Sequence, residues 1–253
     1  MIEHLPELGV TIVSHWIFAC YVIHDGGDGR PLVIDAGLPT TSREVAAILD
    51  DLPGDAPPVV VATHLHTDHV AGVPSLVDGG ADLHLPARVL DWRAGTPPVL
   101  PGLAAVARIV PVLADQPREL WTLGELARSS GTIGVDARAG LRLPCEPQGW
   151  LADGDLVPGA PRWRVLATGG HTDDSISFWD EQGRVLASGD AVLGVGRRAW
   201  FNPELSDPEA TAATEERLRR LPVDVLLPGH GRAVAGDVMA HALSHRSRPP
   251  GRR

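Results

Sequence analysis

Apolar residues, many of them β-branched, dominate Val10 to Val13 and fill Trp16 to Ile23, and a short apolar run follows at Leu32 to Ile34. Short apolar runs rich in β-branched residues predict strands, and the turn-forming stretch HDGGDGR between the last two predicts a hairpin, so the chain opens on an antiparallel meander. TSRE (Thr41 to Glu44) has the spacing of a capping box ahead of VAAILDDL and predicts a helix that PGDAPP ends. Val59, Val60 and Val61 predict a buried strand. The same order returns later: SDPE (Ser206 to Glu209) predicts the start of the helix ATAATEERLRRL, and VDVLL (Val223 to Leu227) predicts another buried strand.

The two halves echo each other in organisation without repeating residues. LVIDAG and RVLASGDAV each run an apolar strand into an aspartate, Asp35 and Asp190, while VVVATHLH and VDVLLPGH each run one into histidine. Mixed strands and helices with polar residues gathered at strand ends point to an α/β fold of two packed sheets with helices outside, a four-layer αββα sandwich. The stretch between the first histidines and His171 is longer than a strand, a helix and a hairpin require. Within it, Thr96 to Gly131 reads as short helices broken by proline. The expectation is one domain over residues 1–245, with a helical insertion at about 86–149 that acts as a lid, as packing or as a homodimer interface, and a disordered tail at 246–253.

The 253 residues are 43% hydrophobic and 21% charged, enough apolar material for a sizeable core. Every basic side chain is arginine, which excludes a lysine nucleophile or Schiff base. A net charge of −10 offers no general attraction to a phosphate backbone, so nucleic acid is not an expected partner. Cys20 in an apolar run and Cys145 in a proline-flanked loop do not make a disulfide framework. The opening MIEHLPELGV lacks the basic and apolar segments of a secretory leader, and a reducing cytoplasm is the expected setting. The longest apolar run, WIFACYVI, is strand-sized and predicts no membrane span.

Candidate chemistry gathers in VVVATHLHTDHVAG (Val59 to Gly72), which places His64, His66, Asp68 and His69 within six positions directly after a strand. On extended backbone His64, His66 and Asp68 project the same way while Leu65 packs inward, and His69 starts a second direction. Imidazole and carboxylate are ligands of borderline divalent metals, and two directions from one loop suggest two ions side by side. His171 in TGGHTDDS, Asp190 in ASGDAV and His230 in LLPGHG each stand beside glycine near the end of an apolar run, where a tight turn presents a side chain outward.

THLHTDH, TGGHTDDS, SGD and PGHG, in that order over most of the chain, resemble the metallo-β-lactamase-fold hydrolase superfamily, specifically its glyoxalase II-like branch. The resemblance implies that His64, His66 and His171 hold one metal, that Asp68, His69 and His230 hold the other, that Asp190 bridges them, and that Asp35 supports the metal loop from behind. It implies two divalent cations, zinc foremost with iron or manganese as alternatives. They would turn a shared water into hydroxide at neutral pH and polarise a substrate carbonyl, with Asp68 as proton carrier. The implied activity is hydrolysis of a small-molecule ester, thioester or lactone.

Asp190 argues against the true β-lactamases, which lack a bridging carboxylate there, and Ala191, Val192 and Leu193 argue against the homoserine-lactone lactonases, which carry a nearby tyrosine. Arg232, Arg246 and Arg248 do not reproduce the basic patch of a glutathione thioesterase. The alternative is an iron-dependent oxidoreductase of the persulfide dioxygenase type; the diiron oxygen reducers carry glutamate where this chain has His66. A metal-binding scaffold without turnover is the third reading. Asp173 and Asp174, in place of the family's frequent Pro-Gly pair, read as surface turn residues, with orientation of the ligands through hydrogen bonds as the alternative, and Arg197 and Arg198 as a solvated pair, with contact to a substrate carboxylate as the alternative. Trp92, Trp121, Trp150 and Trp200 are candidates to line an apolar pocket, against a core role for most of the seven tryptophans.

Overall fold

In the computed structural model, which describes residues 1–102, 105, 107–136 and 140–248, the N-terminal apolar runs divide between the two faces of a sheet. Ile12, Tyr21, Ile23, Leu32, Ile34, Val59 and Val61 point to one side, and Val13, Cys20, Val22, Val33 and Val60 to the other, all of them buried. A sheet apolar on both faces has to be covered on both. Its seven strands lie in the order Ile2–Leu5, Val10–His15, Phe18–Ile23, Leu32–Ile34, Val59–Val61, Asp82–Pro86 and Gly149–Leu151. The first four pair antiparallel; from Leu32–Ile34 onward the pairing is parallel.

A second sheet of six strands covers the inner face: Leu156–Val157, Ala160–Ala167, Ile176–Asp180, Val185–Gly189, Val225–Pro228 and Val234–Ala235. Trp163, Val165, Phe178, Val185, Ala187 and Leu227 meet the first sheet there. Helices Pro39–Asp51, Val73–Asp78 and Val89–Arg93 cover the outer face of the first sheet through Val45, Val73, Leu76, Val89 and Trp92. Helices Pro208–Leu218 and Val238–His241 cover the second through Leu218, Val238 and Met239. The layer order is helix, sheet, sheet, helix, the αββα sandwich that the strand pattern predicts. No helix among the described residues is long and apolar enough to cross a membrane.

Several boundaries differ from the sequence pattern for local reasons. Trp16 adopts a left-handed φ of 53° and turns the hairpin, so the strand expected from Trp16 starts at Phe18. Ile2–Leu5 is an additional strand, mostly exposed and therefore without apolar alternation. The first helix begins at Pro39, where proline's preset φ suits the opening turn; Thr41 and Ser42 are buried inside it and form no capping box. At Pro208–Leu218 the cap is Asp207, one residue after Ser206, and its carboxylate accepts from Glu209 N and Ala210 N at 2.9 and 3.0 Å.

Gly149–Leu151 lies parallel to Asp82–Pro86, so residues 87–148 form one long crossover between neighbouring strands. Its described residues include helices Val110–Asp115 and Leu120–Ser129 and also the hairpin Gly134–Asp136 with Gly140–Arg142, so the insertion is not purely helical. It is fastened to the body at several points. Glu119 accepts from Trp16 N at 3.2 Å and pairs with His15 Nδ1 at 2.8 Å, Glu125 accepts from Thr40 N at 3.1 Å, and Arg108 donates to Pro203 O at 3.2 Å.

Trp92 and Trp200 are core residues rather than pocket walls, Trp150 is half-buried against the outer helices, and Trp121 is exposed with its ring edge-on to His15. Of the tail expected at 246–253, residues 249–253 lie outside the described residues, while Ser247 N donates to Ser244 O at 2.9 Å.

The phenol of Tyr21 crosses from the first sheet to donate to Pro228 O at 2.6 Å, at the end of the strand that leads to His230. Tyr21→Phe leaves that buried carbonyl without its donor and should cost about 1–3 kcal/mol. Urea denaturation of both proteins measures it; an unchanged midpoint would show that the bond contributes nothing net.

Candidate metal centre

Parallel neighbours send their C-terminal ends to one edge of a sheet, where loops carry the chemistry. Leu32–Ile34 ends at Asp35, and its parallel neighbour Val59–Val61 leads into the histidine loop. In the second sheet, Val185–Gly189 ends at Asp190 and its parallel neighbour Val225–Pro228 leads to His230. The two edges meet, since Ala19 N donates to Gly229 O at 3.2 Å. His171 arrives from the loop after Ala160–Ala167. Extended backbone carries only part of the first cluster. His64 and His66 converge, but the chain turns into a single helical turn at Thr67–Val70, so Asp68 departs from the alternation and joins His69 and His230.

All seven candidate donors come together in two groups. His64, His66, His171 and Asp190 form one and Asp68, His69 and His230 the other, with donor atoms inside each group within 4.8 Å of one another. His66 Nδ1 lies 3.0 Å from His64 Nε2 and 3.1 Å from His171 Nε2. Asp190 stands between the groups: Oδ2 is 3.4 Å from His171 Nε2 and 3.2 Å from His230 Nε2, and Oδ1 is 3.5 Å from His69 Nε2. Asp68 Oδ2 is 3.3 Å from His230 Nε2.

The far side of each ring decides which nitrogen faces inward. His69 Nδ1 donates to Asp35 Oδ2 at 2.8 Å, and His171 Nδ1 donates to Glu204 O at 2.8 Å. Thr63 Oγ1 donates to Asp35 Oδ2 at 2.9 Å and accepts from His64 Nδ1 at 3.2 Å. With those N–H groups engaged, Nε2 of His64, His69 and His171 is the nitrogen left to bind a cation. Asp35 also accepts from Thr63 N at 2.7 Å and sits at a left-handed φ of 60°, a conformation that aspartate tolerates and that its three partners maintain.

These residues fit a divalent metal. His69 Nε2 and Asp190 Oδ1 are buried with no hydrogen-bond partner, a cost of about 1–3 kcal/mol for each that a cation would remove. A Cβ on Gly229 would stand 2.5 Å from Asp190 Oδ1 and 2.7 Å from His69 Cε1, so glycine there keeps the space beside them open. Electrostatics separates the groups. Burial pushes His64 and His66 down, reinforced by neighbouring imidazoles, with His66 at about 3. Burial also opposes charge on His69 and His230, but the carboxylates of Asp190 and Asp68, with Asp35 beside His69, outweigh it and raise both, His69 to about 9. Those imidazoliums in turn hold Asp68 and Asp190 below the usual carboxylate range despite burial.

Asp173 and Asp174 are not surface turn residues. Asp174 is buried, its Oδ2 accepts from Leu65 N between His64 and His66 at 2.9 Å, and burial raises its carboxyl to about 7. Asp173 receives Arg88 Nε at 2.8 Å, Trp92 Nε1 at 3.3 Å and Val99 N at 3.0 Å, which ties the His171 loop to the insertion. The signal was the departure itself, two carboxylates three residues or fewer from a candidate ligand. Thr63, Asn202 and Glu204 carried no such signal. Arg197 and Arg198 are exposed, as expected.

The family model for the Metallo-beta-lactamase superfamily matches residues 19–230, from the hairpin to the last of the candidate histidine ligands. The chain belongs to this superfamily. Relatives within it include the probable metallo-hydrolase YflN of Bacillus subtilis, 25% identical over 229 residues that cover 81% of this chain and 76% of the relative. A hydroxyacylglutathione hydrolase of Cereibacter sphaeroides is 25% identical, covering 88% and 66%, and the acyl-coenzyme A thioesterase MBLAC2 of Gallus gallus 27%, covering 81% and 69%. The fold matches the metallo-beta-lactamase family protein TTHA1429 of Thermus thermophilus with a TM-score of 0.59 at 22% identity, over 94% of this chain and 77% of the other. TTHA1623, solved in a di-iron-bound form, matches at 0.54 with 23% identity, over 88% and 92%. Both donor groups, His64, His66, His171 and Asp190 and Asp68, His69 and His230, lie within the residues that the superfamily model matches.

A folded-state pKa raised above the unfolded value contributes stability that is complete below the unfolded value and lost as pH rises through the folded one. His69 rises from 6.5 to about 9, so protein stripped by a chelator should lose stability across that window. Metal affinity should climb over the same range as protons cease to compete. Denaturation and chelator-competition titrations along the pH series check both, and a flat affinity would show that neither His69 nor His230 gives up a proton on binding.

Proposed function

We propose that the protein is a dinuclear metallo-hydrolase that cleaves an acyl ester, thioester or lactone of a small molecule. The observation that carries this reading is Asp190, whose two carboxylate oxygens approach histidines of both donor groups. His64, His66 and His171 would hold one ion, Asp68, His69 and His230 the other, and Asp190 would touch both. Two such ions, zinc by the nitrogen-rich donor chemistry and iron or manganese otherwise, lower the pKa of a water and polarise a carbonyl. The thioester class draws support from two relatives named for hydrolysing acyl groups carried on glutathione and on coenzyme A.

The chain's own residues supply position and protons. Asp35, Thr63 and Glu204 O hold the outer nitrogens of His69, His64 and His171, so the inner ones stay aimed. Burial of His64, His69, His171 and Asp190 keeps bulk water from that flank. Asp68 has 15% of its side chain accessible, more than His69, His230 or Asp190, and this exposure supports its reading as the carboxylate that passes a proton to a departing alkoxide or thiolate. Both cysteines are free, which suits a reducing compartment such as the cytoplasm.

Protein purified without added metal should contain about two zinc ions per chain, hydrolyse acyl thioesters, and take up no oxygen with glutathione persulfide. One iron per chain with persulfide-dependent oxygen uptake would establish the dioxygenase instead. His64→Ala and Asp190→Asn should each reduce kcat/KM by more than the ~100-fold that loss of an outer-shell partner can cost, with the circular dichroism unchanged. Turnover retained in both variants would overturn the hydrolase.

A further inference from the structure

The strand Arg198–Phe201 delivers a buried amide, Asn202, 3% exposed, to the rear of the metal centre. Its Nδ2 donates to Asp190 O at 2.8 Å, and its Oδ1 accepts from Glu204 N at 2.8 Å. The carbonyl of Glu204 is the acceptor for His171 Nδ1. The backbone of Asn202 adds a further tie, its N–H donating to Ala191 O at 3.1 Å. One short planar group therefore spans the loop that presents Asp190 and the segment that orients His171.

Only a side chain with a donor at one end and an acceptor at the other satisfies both contacts. Aspartate matches the shape but sets an acceptor against the Asp190 carbonyl. Alanine leaves a buried C=O and a buried N–H unpaired. We propose that Asn202 is a positioning residue that fixes the carboxylate of Asp190 and the imidazole of His171 relative to each other, and so sets the affinity of the metal centre. The proposal rests on the reading of Asp190 and His171 as ligands.

The test compares the full-length protein with Asn202→Asp and Asn202→Ala by titration with cobalt(II). Visible absorption reports coordination geometry, a chelator competition reports affinity, and circular dichroism reports the fold. Both variants should keep the wild-type circular dichroism, lose about 10–100-fold in cobalt affinity and show an altered visible spectrum. Asn202→Asp keeps the shape of the side chain and its bond to Glu204 N, so it removes the Nδ2 donor, which faces Asp190 O at 2.8 Å and lies 3.4 Å from His171 Nδ1, and it stands in should Asn202→Ala misfold. An Asn202→Asp protein with wild-type affinity and spectrum overturns the proposal, because the side chain then only fills space. Wild-type protein that takes up no cobalt overturns the ligand reading and this proposal together.

Discussion

Asp190, buried, and Asp68, half-buried, share a crevice between two sheets with five imidazoles, and His69 Nε2 and Asp190 Oδ1 are left there without a hydrogen-bond partner. Burying charge is tolerated where it is paired and hydrogen-bonded. Here part of the pairing is mutual, with His69 and His230 holding protons against Asp68 and Asp190, and part is delegated backwards to Asp35, Thr63 and the Glu204 carbonyl. Neither removes the orphaned Nε2 of His69 or Oδ1 of Asp190. The surrounding fold can be understood as the means of holding these groups at the distances where a cation balances them. Parallel strand ends bring them to one edge, and glycine at position 229 leaves the gap open.

Much of this was legible in the sequence because its causes are local. Val59 to Val61 announce a strand by β-branching, and a cluster of histidines immediately after it falls on a strand end whatever the rest of the chain does. The sandwich follows from mixed strands and helices with polar residues gathered at strand ends. What was not legible depends on partners far away. Asp174 resembles any short polar residue near a turn until Leu65 N, 109 positions earlier, is found in front of it. Asn202 lies in no motif, and its role exists only because the strand before it ends behind Asp190. Asp68 looked like the third member of an alternation, but a single helical turn at Thr67 redirected it. Ile2–Leu5 pairs by backbone alone on a mostly exposed edge, so hydrophobicity could not reveal it.

The insertion is less separate from the centre than its length suggests. Val135 N donates to Leu65 O at 2.7 Å and Thr67 Oγ1 to Ile133 O at 2.9 Å, so its last described segment before residue 137 supports the histidine loop. Asp173 fixes its first part to the His171 loop, and Glu119 and Glu125 fix its middle to the N-terminal hairpin and first helix. The described part of the insertion is thus hydrogen-bonded to two loops that carry candidate ligands, so substitutions along it reach those loops without replacing a candidate ligand.

The bond between Tyr21 and Pro228 joins residues 207 positions apart. Contacts of such separation are made against the entropy of closing a very long loop, and topologies dominated by them fold slowly. Synthesis proceeds from the N-terminus, so His64, His66, Asp68 and His69 leave the ribosome well before Asp190 and His230 exist. An ion caught by the early cluster would find only part of its coordination shell. The donor groups are brought together only once the strand Val225–Pro228 has docked beside Val185–Gly189, so an ion held by both groups would mark a finished molecule.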